Sequence, residues 1–480
     1  MSYPGVEFDE ITRAAVFPPD YRNPTPKDRY HLVVIGGGTA GLITAIGAAG
    51  LGAKVALVEC ERMGGDCLNV GCVPSKALLE YSRVHPDHSF DAAFAYMRSV
   101  RAGIAPHDSV SRYSELGVDV FLGRGQFATD GSVHVGEAVL RARRVVIATG
   151  AKADVPPIPG LVDADPLTND TVFDLVKRPA SLAILGGGVI GCELAMVFAR
   201  LGTEVHIFEG EARLLPLELP AAGAAVADAM RALGVAVHAG AFVQSVQPGA
   251  PHVVDNGSTR VAVESILVAL GRRPNTNNLG LDQVGVSVDD RGFIVTDAKL
   301  RTNNKHIYAA GDCTAALQLT HHADAQARVA VQNALFAPTA STQGLIIPRV
   351  TYTRPEVASV GASASSLTTE GRAFDTYRVE FSELDRGRAE VDGSGFAELY
   401  TSKGKDEILG ATIVGHDAGE QIAAVVLLMT NGLGLSAAGK SVFAYPTRAE
   451  FLKRMANEYN RTRLSPAIAK LFDLWLRVFN

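Results

Sequence analysis

Leu32-Val33-Val34-Ile35-Gly36-Gly37-Gly38-Thr39-Ala40-Gly41 opens a stretch that runs through small residues to Ala49 and on through Lys54-Val55-Ala56-Leu57-Val58 to Glu59. The apolar run reads as a buried parallel strand, the glycines as a tight turn into a helix, and the second apolar run as a second strand. Gly36, Gly38 and Gly41 let the backbone approach a pyrophosphate, and the helix N-terminus offers free N–H groups. Glu59, 18 positions after Gly41, can accept ribose hydroxyls. GxGxxG alone says little, because a glycine-rich turn also occurs in other α/β folds; strand, turn, helix and acid in this order point to a dinucleotide site.

The pattern recurs. Ser181-Leu182-Ala183-Ile184-Leu185 leads into Gly186-Gly187-Gly188-Val189-Ile190-Gly191, a helix through Arg200, and Glu204-Val205-His206-Ile207-Phe208 ending at Glu209, again 18 positions after the last glycine. Each βαβ unit holds one pyrophosphate, so Gly186, Gly188 and Gly191 with Glu209 imply a second nucleotide site. Two such sites in one chain suit electron transfer between two cofactors.

The chain around these motifs has 480 residues, enough for two to four domains, with 47% apolar and 20% charged residues. That composition excludes wholesale disorder and a polytopic membrane protein. A net charge of −6 with no basic block leaves no nucleic-acid footprint. Residues 1–29 are polar, carry Pro18, Pro19, Pro24 and Pro26, and lack the apolar core of a signal peptide; they are expected to lie outside the first domain of a cytoplasmic protein. Five cysteines, an odd number, do not make a secreted disulfide framework.

Cys67 and Cys72 stand in Met63-Gly64-Gly65-Asp66-Cys67-Leu68-Asn69-Val70-Gly71-Cys72-Val73-Pro74-Ser75-Lys76. Pro74 suits a first helical turn, so Cys72 is expected at a helix N-terminus, where the dipole and Lys76 favour a thiolate. A structural zinc site would need two further ligands, and no second close Cys or His pair follows. Beside two dinucleotide sites the pair reads as a redox-active disulfide; alone it would read as two inert thiols.

This string and both fingerprints resemble the pyridine nucleotide-disulfide oxidoreductases, the family of dihydrolipoamide dehydrogenase, glutathione reductase and mercuric reductase. Further matches are Ala148-Thr149-Gly150, Gly271-Arg272-Arg273-Pro274-Asn275, Ile307-Tyr308-Ala309-Ala310-Gly311-Asp312 and Tyr352-Thr353-Arg354-Pro355-Glu356-Val357-Ala358-Ser359-Val360-Gly361. The resemblance implies FAD in the first fold, with Glu59 on the adenosine ribose and Asp312 on the ribityl chain. Gly65, Thr149, Gly150, Gly271, Arg272 and Gly311 join the cofactor-binding residues, and the helix from Thr320 faces the flavin. It also implies that Lys76 pairs with Glu193 beside the flavin, that Cys72 is the thiol next to the ring, and that Cys67 meets substrate. Glu209, at the end of the second fold's second strand, favours NADH over NADPH, whose 2′-phosphate it would repel; NADPH stays possible, with Arg213 four residues on.

The family's dimerisation domain is expected after Gly361, with strands at 397–400 and 408–415 and a helix at 420–429. In many members a His-Pro-Thr, with a glutamate five residues after the histidine, enters the partner subunit's active site as an acid-base dyad. Here the segment reads Phe443-Ala444-Tyr445-Pro446-Thr447-Arg448-Ala449-Glu450, with Tyr445 in the histidine position and the glutamate kept. A tyrosine, with a pKa near 10, is a poor base near neutrality. Mercuric reductases carry a tyrosine at the matching place, yet they normally end in a cysteine pair, and no cysteine follows Cys313 here. Tyr445 could also simply pack at the dimer interface. Beyond it, Ile468, Leu471, Phe472, Trp475, Leu476 and Phe479 recur at helical spacing. Such a stripe is expected to pack on the protein's own core or on a dimer partner, the alternative being an interfacial helix at a membrane.

The expected fold class is α/β: two Rossmann-like dinucleotide-binding domains, for FAD and NAD(P), plus a C-terminal α+β dimerisation domain. The expected boundaries are 1–29 for the extension, 30–155 and 274–347 for FAD, 156–273 for NAD(P), and 348–480 for dimerisation with a helical tail. The expected protein is a homodimeric enzyme passing electrons from NADH through Cys67 and Cys72 to a small disulfide, dithiol or thiophilic-metal substrate. Its rivals are a dihydrolipoamide dehydrogenase-like enzyme with an unusual proton relay and a flavoprotein redox sensor or electron-transfer partner.

Overall fold

The computed structural model describes residues 7–85, 87, 89–314 and 317–479. They form two compact units: one holds the described residues up to Ala212 together with Leu233–Gly344, the other Arg213–Ala232 and those from Leu345 on.

In the first unit, the apolar run after residue 29 becomes the strand Tyr30–Ile35, central in a five-stranded sheet ordered Ile307–Ala309, Ala142–Ile147, Tyr30–Ile35, Val55–Glu59, Val118–Leu122. All its pairings are parallel. The helices Thr39–Gly50 and Thr320–Leu335 pack together, and Leu32, Val34, Leu57 and Val146 share a core with Ala45, Ala48 and Ala330. Small residues in these helices let them lie close to the sheet. The second fingerprint builds a parallel four-stranded sheet ordered Ala236–Ala239, Glu204–Glu209, Ser181–Leu185, Ser265–Val268. In both sheets the strand preceding the glycines has on one side the strand that follows it in its βαβ unit and on the other a strand from much later in the chain. The strand order reverses there, which opens the crevice at the strand C-termini where α/β folds bind ligands.

Residues 7–29 do not stand apart from the first domain; they pack on it. The helix Glu7–Val16 buries Asp9, Thr12 and Val16. Asp9 reaches Arg101 at 2.5 Å and Arg98 at 3.2 Å, all three groups being nearly inaccessible to water. Arg101 in turn donates to the Asn69 carbonyl at 3.0 Å. Asn23 then binds the backbone of Leu122 through both its amide oxygen and nitrogen, covering the sheet's edge strand. An apolar count misses this docking, because the contact that seats the helix is ionic.

The second unit is an antiparallel five-stranded sheet ordered Arg349–Thr351, Glu356–Gly361, Ile408–Gly415, Gly395–Ser402, Phe374–Glu380. Every residue of Ile408–Gly415 is buried, and the helices Ala418–Thr430 and Glu450–Thr462 contribute Ile422, Val425, Phe451 and Met455 to its core. The C-terminal helix Pro466–Phe479 buries none of its residues, so the expected packing of its apolar stripe on the protein's own core is corrected. The described residues contain no helix long and apolar enough to cross a membrane.

Candidate active site

The two glycine turns share one geometry. Gly36 has φ +111°, and a Cβ there would lie 2.2 Å from the Ala148 carbonyl oxygen; Gly186 has φ +112°, and its Cβ would lie 2.3 Å from that of Ala269. A Cβ on Gly41 or Gly191 would come within 1.7 or 1.9 Å of the carbonyl oxygen of Gly36 or Gly186. Only glycine fits these four positions, since side chains there collide with backbone. The helices that follow begin at Gly38 and Gly188 with no side-chain cap. Their first-turn N–H groups are therefore free of intrahelical partners and available to an anion. Glu59 accepts the Gly37 N–H at 2.5 Å and the Glu61 N–H at 2.6 Å; Glu209 accepts those of Gly187 and Glu211, both at 2.8 Å. Each carboxylate keeps acceptor capacity for hydroxyls. Nothing lies within 4 Å of a Cβ built on Gly188, and beside Gly38 only the Gly65 Cα does, at 3.6 Å. Both turns fit a dinucleotide.

The cysteine pair sits against the first turn. The short helix Gly65–Asn69 carries Cys67, and Cys72 is the first residue of the helix Cys72–Val84. Both are thiols here and interact through a shared hydrogen bond. That bond draws the Cys72 thiol below its ordinary range, helped by Thr320 and Lys76 against the cost of burial, and pushes Cys67 up. Thr320, which begins the helix Thr320–Leu335, puts its hydroxyl 3.3 Å from the Cys72 sulfur. Lys76 and Glu193 lie 2.7 Å apart, brought together because the helix Cys72–Val84 packs on Val189–Arg200. Asn69, between the cysteines, donates to the carbonyls of Met63 and Gly65, and its own carbonyl takes the Arg101 bond that depends on Asp9.

The later motifs converge on the same place. Arg272 contacts the Asp66 carboxylate next to Cys67, donates to the Ala151 carbonyl at 2.5 Å, and has its Nε 3.7 Å from Asp312. Burial raises the Asp312 carboxyl above its usual range while Arg272 opposes that. Asn275 joins its motif to Thr149 and Gly150, donating to the carbonyls of both at 3.1 and 3.0 Å. Gly311, at φ +80°, donates its N–H to Gln326 at 2.6 Å. Gly271, at φ +123°, precedes the strand Arg272–Pro274, which pairs with Ala151–Ala153.

In the second unit, Tyr445 is exposed, and its hydroxyl donates to Asp385 at 2.6 Å. Glu450, the expected dyad partner, begins the helix Glu450–Thr462, and Asp385 takes the tyrosine instead. The hydrogen bond to a carboxylate raises the phenol's pKa. Sequence reasoning missed the Thr320 contact with Cys72, Asp385 and the Asp9–Arg101 pair. Each acts across 60 or more residues of chain, and none belongs to a recurring pattern.

Comparison with known proteins accounts for this combination. Residues 30–327 match the family model described as pyridine nucleotide-disulphide oxidoreductase, and residues 347–456 match its dimerisation domain. The chain is 34% identical to the dihydrolipoyl dehydrogenase of Chlamydia muridarum, across 88% of this chain and 95% of that one. It is 32% identical to the mercuric reductase of Streptomyces lividans, across 90% and 96%. Among solved structures it is similar to the Cu(II) complex of the HOCl-induced flavoprotein disulfide reductase RclA from Escherichia coli. The TM-score there is 0.82 at 29% identity, over 88% of this chain and 98% of RclA. It is also similar to LpdA from Mycobacterium tuberculosis, with a TM-score of 0.80 at 25% identity over 90% and 99%. The chain belongs to the pyridine nucleotide-disulphide oxidoreductase family and is an oxidoreductase that uses FAD and NAD(P)H.

Proposed function

We propose that this enzyme, a cytoplasmic homodimer, couples oxidation of NADH to reduction of a thiophilic-metal or disulfide-like acceptor through Cys67 and Cys72. Bound FAD supplies the two-electron relay between nicotinamide and disulfide. In this reading the turn from Gly36 to Gly41 with Glu59 holds FAD, and Gly65, Thr149, Gly150, Gly271, Arg272, Gly311 and Asp312 line its site. Gly186, Gly188 and Gly191 hold the nicotinamide nucleotide, and the Glu209 carboxylate selects NADH by repelling a 2′-phosphate.

Cys72 keeps the negative charge of the reduced pair, since Thr320, Lys76 and its place at a helix N-terminus all favour a thiolate. Cys67 retains the shared proton and meets the acceptor. Opening the disulfide takes up two electrons and one proton, leaving Cys72 a thiolate and Cys67 a thiol; a disulfide acceptor then draws one further proton from solvent, whereas Hg(II) releases the Cys67 proton. The acceptor then takes the electron pair and the cysteines close again: a disulfide leaves as two thiols, or Hg(II) leaves as the metal.

The Tyr445–Asp385 hydrogen bond carries the preference for a metal. Thiol–disulfide exchange near neutrality needs a base of pKa near 7 to take the Cys67 proton, and a tyrosine bonded to a carboxylate is a worse one than a free tyrosine. A thiophilic cation needs no such base, because it deprotonates a coordinating thiol itself. The mercuric reductase relatives and the copper-bound RclA structure support the same acceptor class. The Chlamydia relative supports the second reading, dihydrolipoamide oxidation with NAD. The test follows NADH oxidation by the holoenzyme with Hg(II) or Cu(II) in excess thiol, lipoamide, and glutathione disulfide. Metal-dependent turnover at least about tenfold above the disulfides is expected; rapid NAD-linked oxidation of dihydrolipoamide overturns the assignment.

A further inference from the structure

The helix Pro466–Phe479 has no role in the chemistry above and no partner among the described residues for its apolar surface: all fourteen residues are exposed. At 100° per residue, the apolar side chains from Ile468 to Phe479 cover more than half of the circumference, while Lys470, Asp473 and Arg477 share a narrow stripe opposite. Asp473 is paired with Arg477 at 2.7 Å, so the stripe has no uncompensated negative charge. Trp475 and Phe479 lie together on the apolar side with ring centroids 4.2 Å apart.

Charge says what this surface suits. From Glu450 to Phe479 there are six lysines and arginines against three acidic residues, a net +3 in a chain whose total is −6. Arg461 and Arg463 are exposed just ahead of the helix. An apolar half with aromatic rings, a thin cationic stripe and flanking arginines match a helix lying in the boundary of an anionic lipid layer. Fourteen residues span about 21 Å, too short for the roughly 30 Å core of a bilayer, so such a helix lies on the surface and does not cross. A second copy of the chain is the lesser fit: the dimerisation segment shared with the family ends at residue 456, ahead of this helix.

We propose that Pro466–Phe479 docks the protein on an anionic membrane surface. Trp475 is the chain's single tryptophan, so the intrinsic tryptophan emission of the holoenzyme reports this helix alone. Vesicles of phosphatidylglycerol and phosphatidylcholine should shift that emission to the blue and float the protein with them. At low salt the preference over pure phosphatidylcholine vesicles should be on the order of a hundredfold for three net charges. The paired substitution Leu471→Glu with Phe472→Glu should abolish both signals and leave flavin absorbance and NADH oxidation unchanged. A chain ending at Arg463 should keep its oligomeric state and no longer float. Either of two results overturns the proposal: emission that stays red-shifted with every vesicle, or emission already blue and shielded from iodide without vesicles, together with loss of the oligomer on truncation at Arg463. The second result would mean that the helix packs on another copy.

Discussion

Replacing Asp9 with alanine should destabilise the first unit and disturb its redox loop by separable amounts. Asp9 pairs with the buried Arg98 and Arg101 guanidinium groups, at 3.2 and 2.5 Å. Removing one partner of such a buried pair costs about 3–5 kcal/mol, because the buried guanidinium charges lose their directly paired carboxylate. With an unfolding entropy of about 2.1 cal/mol/K per residue, a unit of roughly 320 residues loses about 1.5 °C of midpoint per kcal/mol. Asp9→Ala should therefore lower the thermal midpoint by about 5–7 °C. Replacing the whole cluster with apolar residues, Asp9→Leu with Arg98→Met and Arg101→Met, should restore most of that loss. It should not restore the donor that Arg101 gives the Asn69 carbonyl, so alkylation of Cys67 should still differ from the native rate by at least about threefold. Calorimetry and timed alkylation of the reduced enzyme read the two effects. A midpoint change below about 1 °C for Asp9→Ala, or a triple variant no more stable than the single one, would refute the reasoning.

Three further outcomes follow from the site. The Cys72 pKa is lowered, first by the hydrogen bond from Cys67, so its alkylation in the reduced enzyme should rise through an inflection below the ordinary thiol range near 8.5. Cys67→Ala should move that inflection up, and an unmoved one would deny the coupling. The sign for stability follows: the depressed folded pKa contributes stability that is fully present above the unfolded thiol value and is lost as pH falls through the folded one. Tyr445→His should raise lipoamide or glutathione disulfide turnover near pH 7 by about 10²-fold or more if base strength is what limits it; unchanged turnover would place the limit elsewhere. Glu209→Gln should narrow the ratio of KM values for NADPH and NADH, measured by steady-state NAD(P)H oxidation, and an unaltered ratio would remove Glu209 from the choice.

The parts of the fold legible in the sequence are those fixed by local backbone demands. Gly36 and Gly186 have nearly the same positive φ and face a carbonyl that excludes any side chain, so the glycine spacing carries the geometry of both turns. Glu59 and Glu209 are legible for the same reason, each closing on the turn that starts its own βαβ unit. Cys72 at a helix start could be anticipated from Pro74 two residues later. What stayed hidden is pairwise and distant. Thr320 meets Cys72 across 248 residues, and Asp9 meets Arg101 across 92. Tyr445 could be read as a departure from the family, but its bond to Asp385 comes from how one helix start meets one loop. The C-terminal stripe showed its amphipathic spacing in the sequence, and the structure adds that its own unit does not cover it.

The central claim is that electrons from NADH pass through Cys67 and Cys72. Counting thiols in the holoenzyme, denatured and trapped before and after anaerobic reduction with one equivalent of NADH, tests it most directly. Two additional thiols should appear in the native chain, none should appear in Cys67→Ser or Cys72→Ser, and both variants should lose acceptor-dependent NADH oxidation. Full acceptor-dependent turnover in either serine variant would contradict the account.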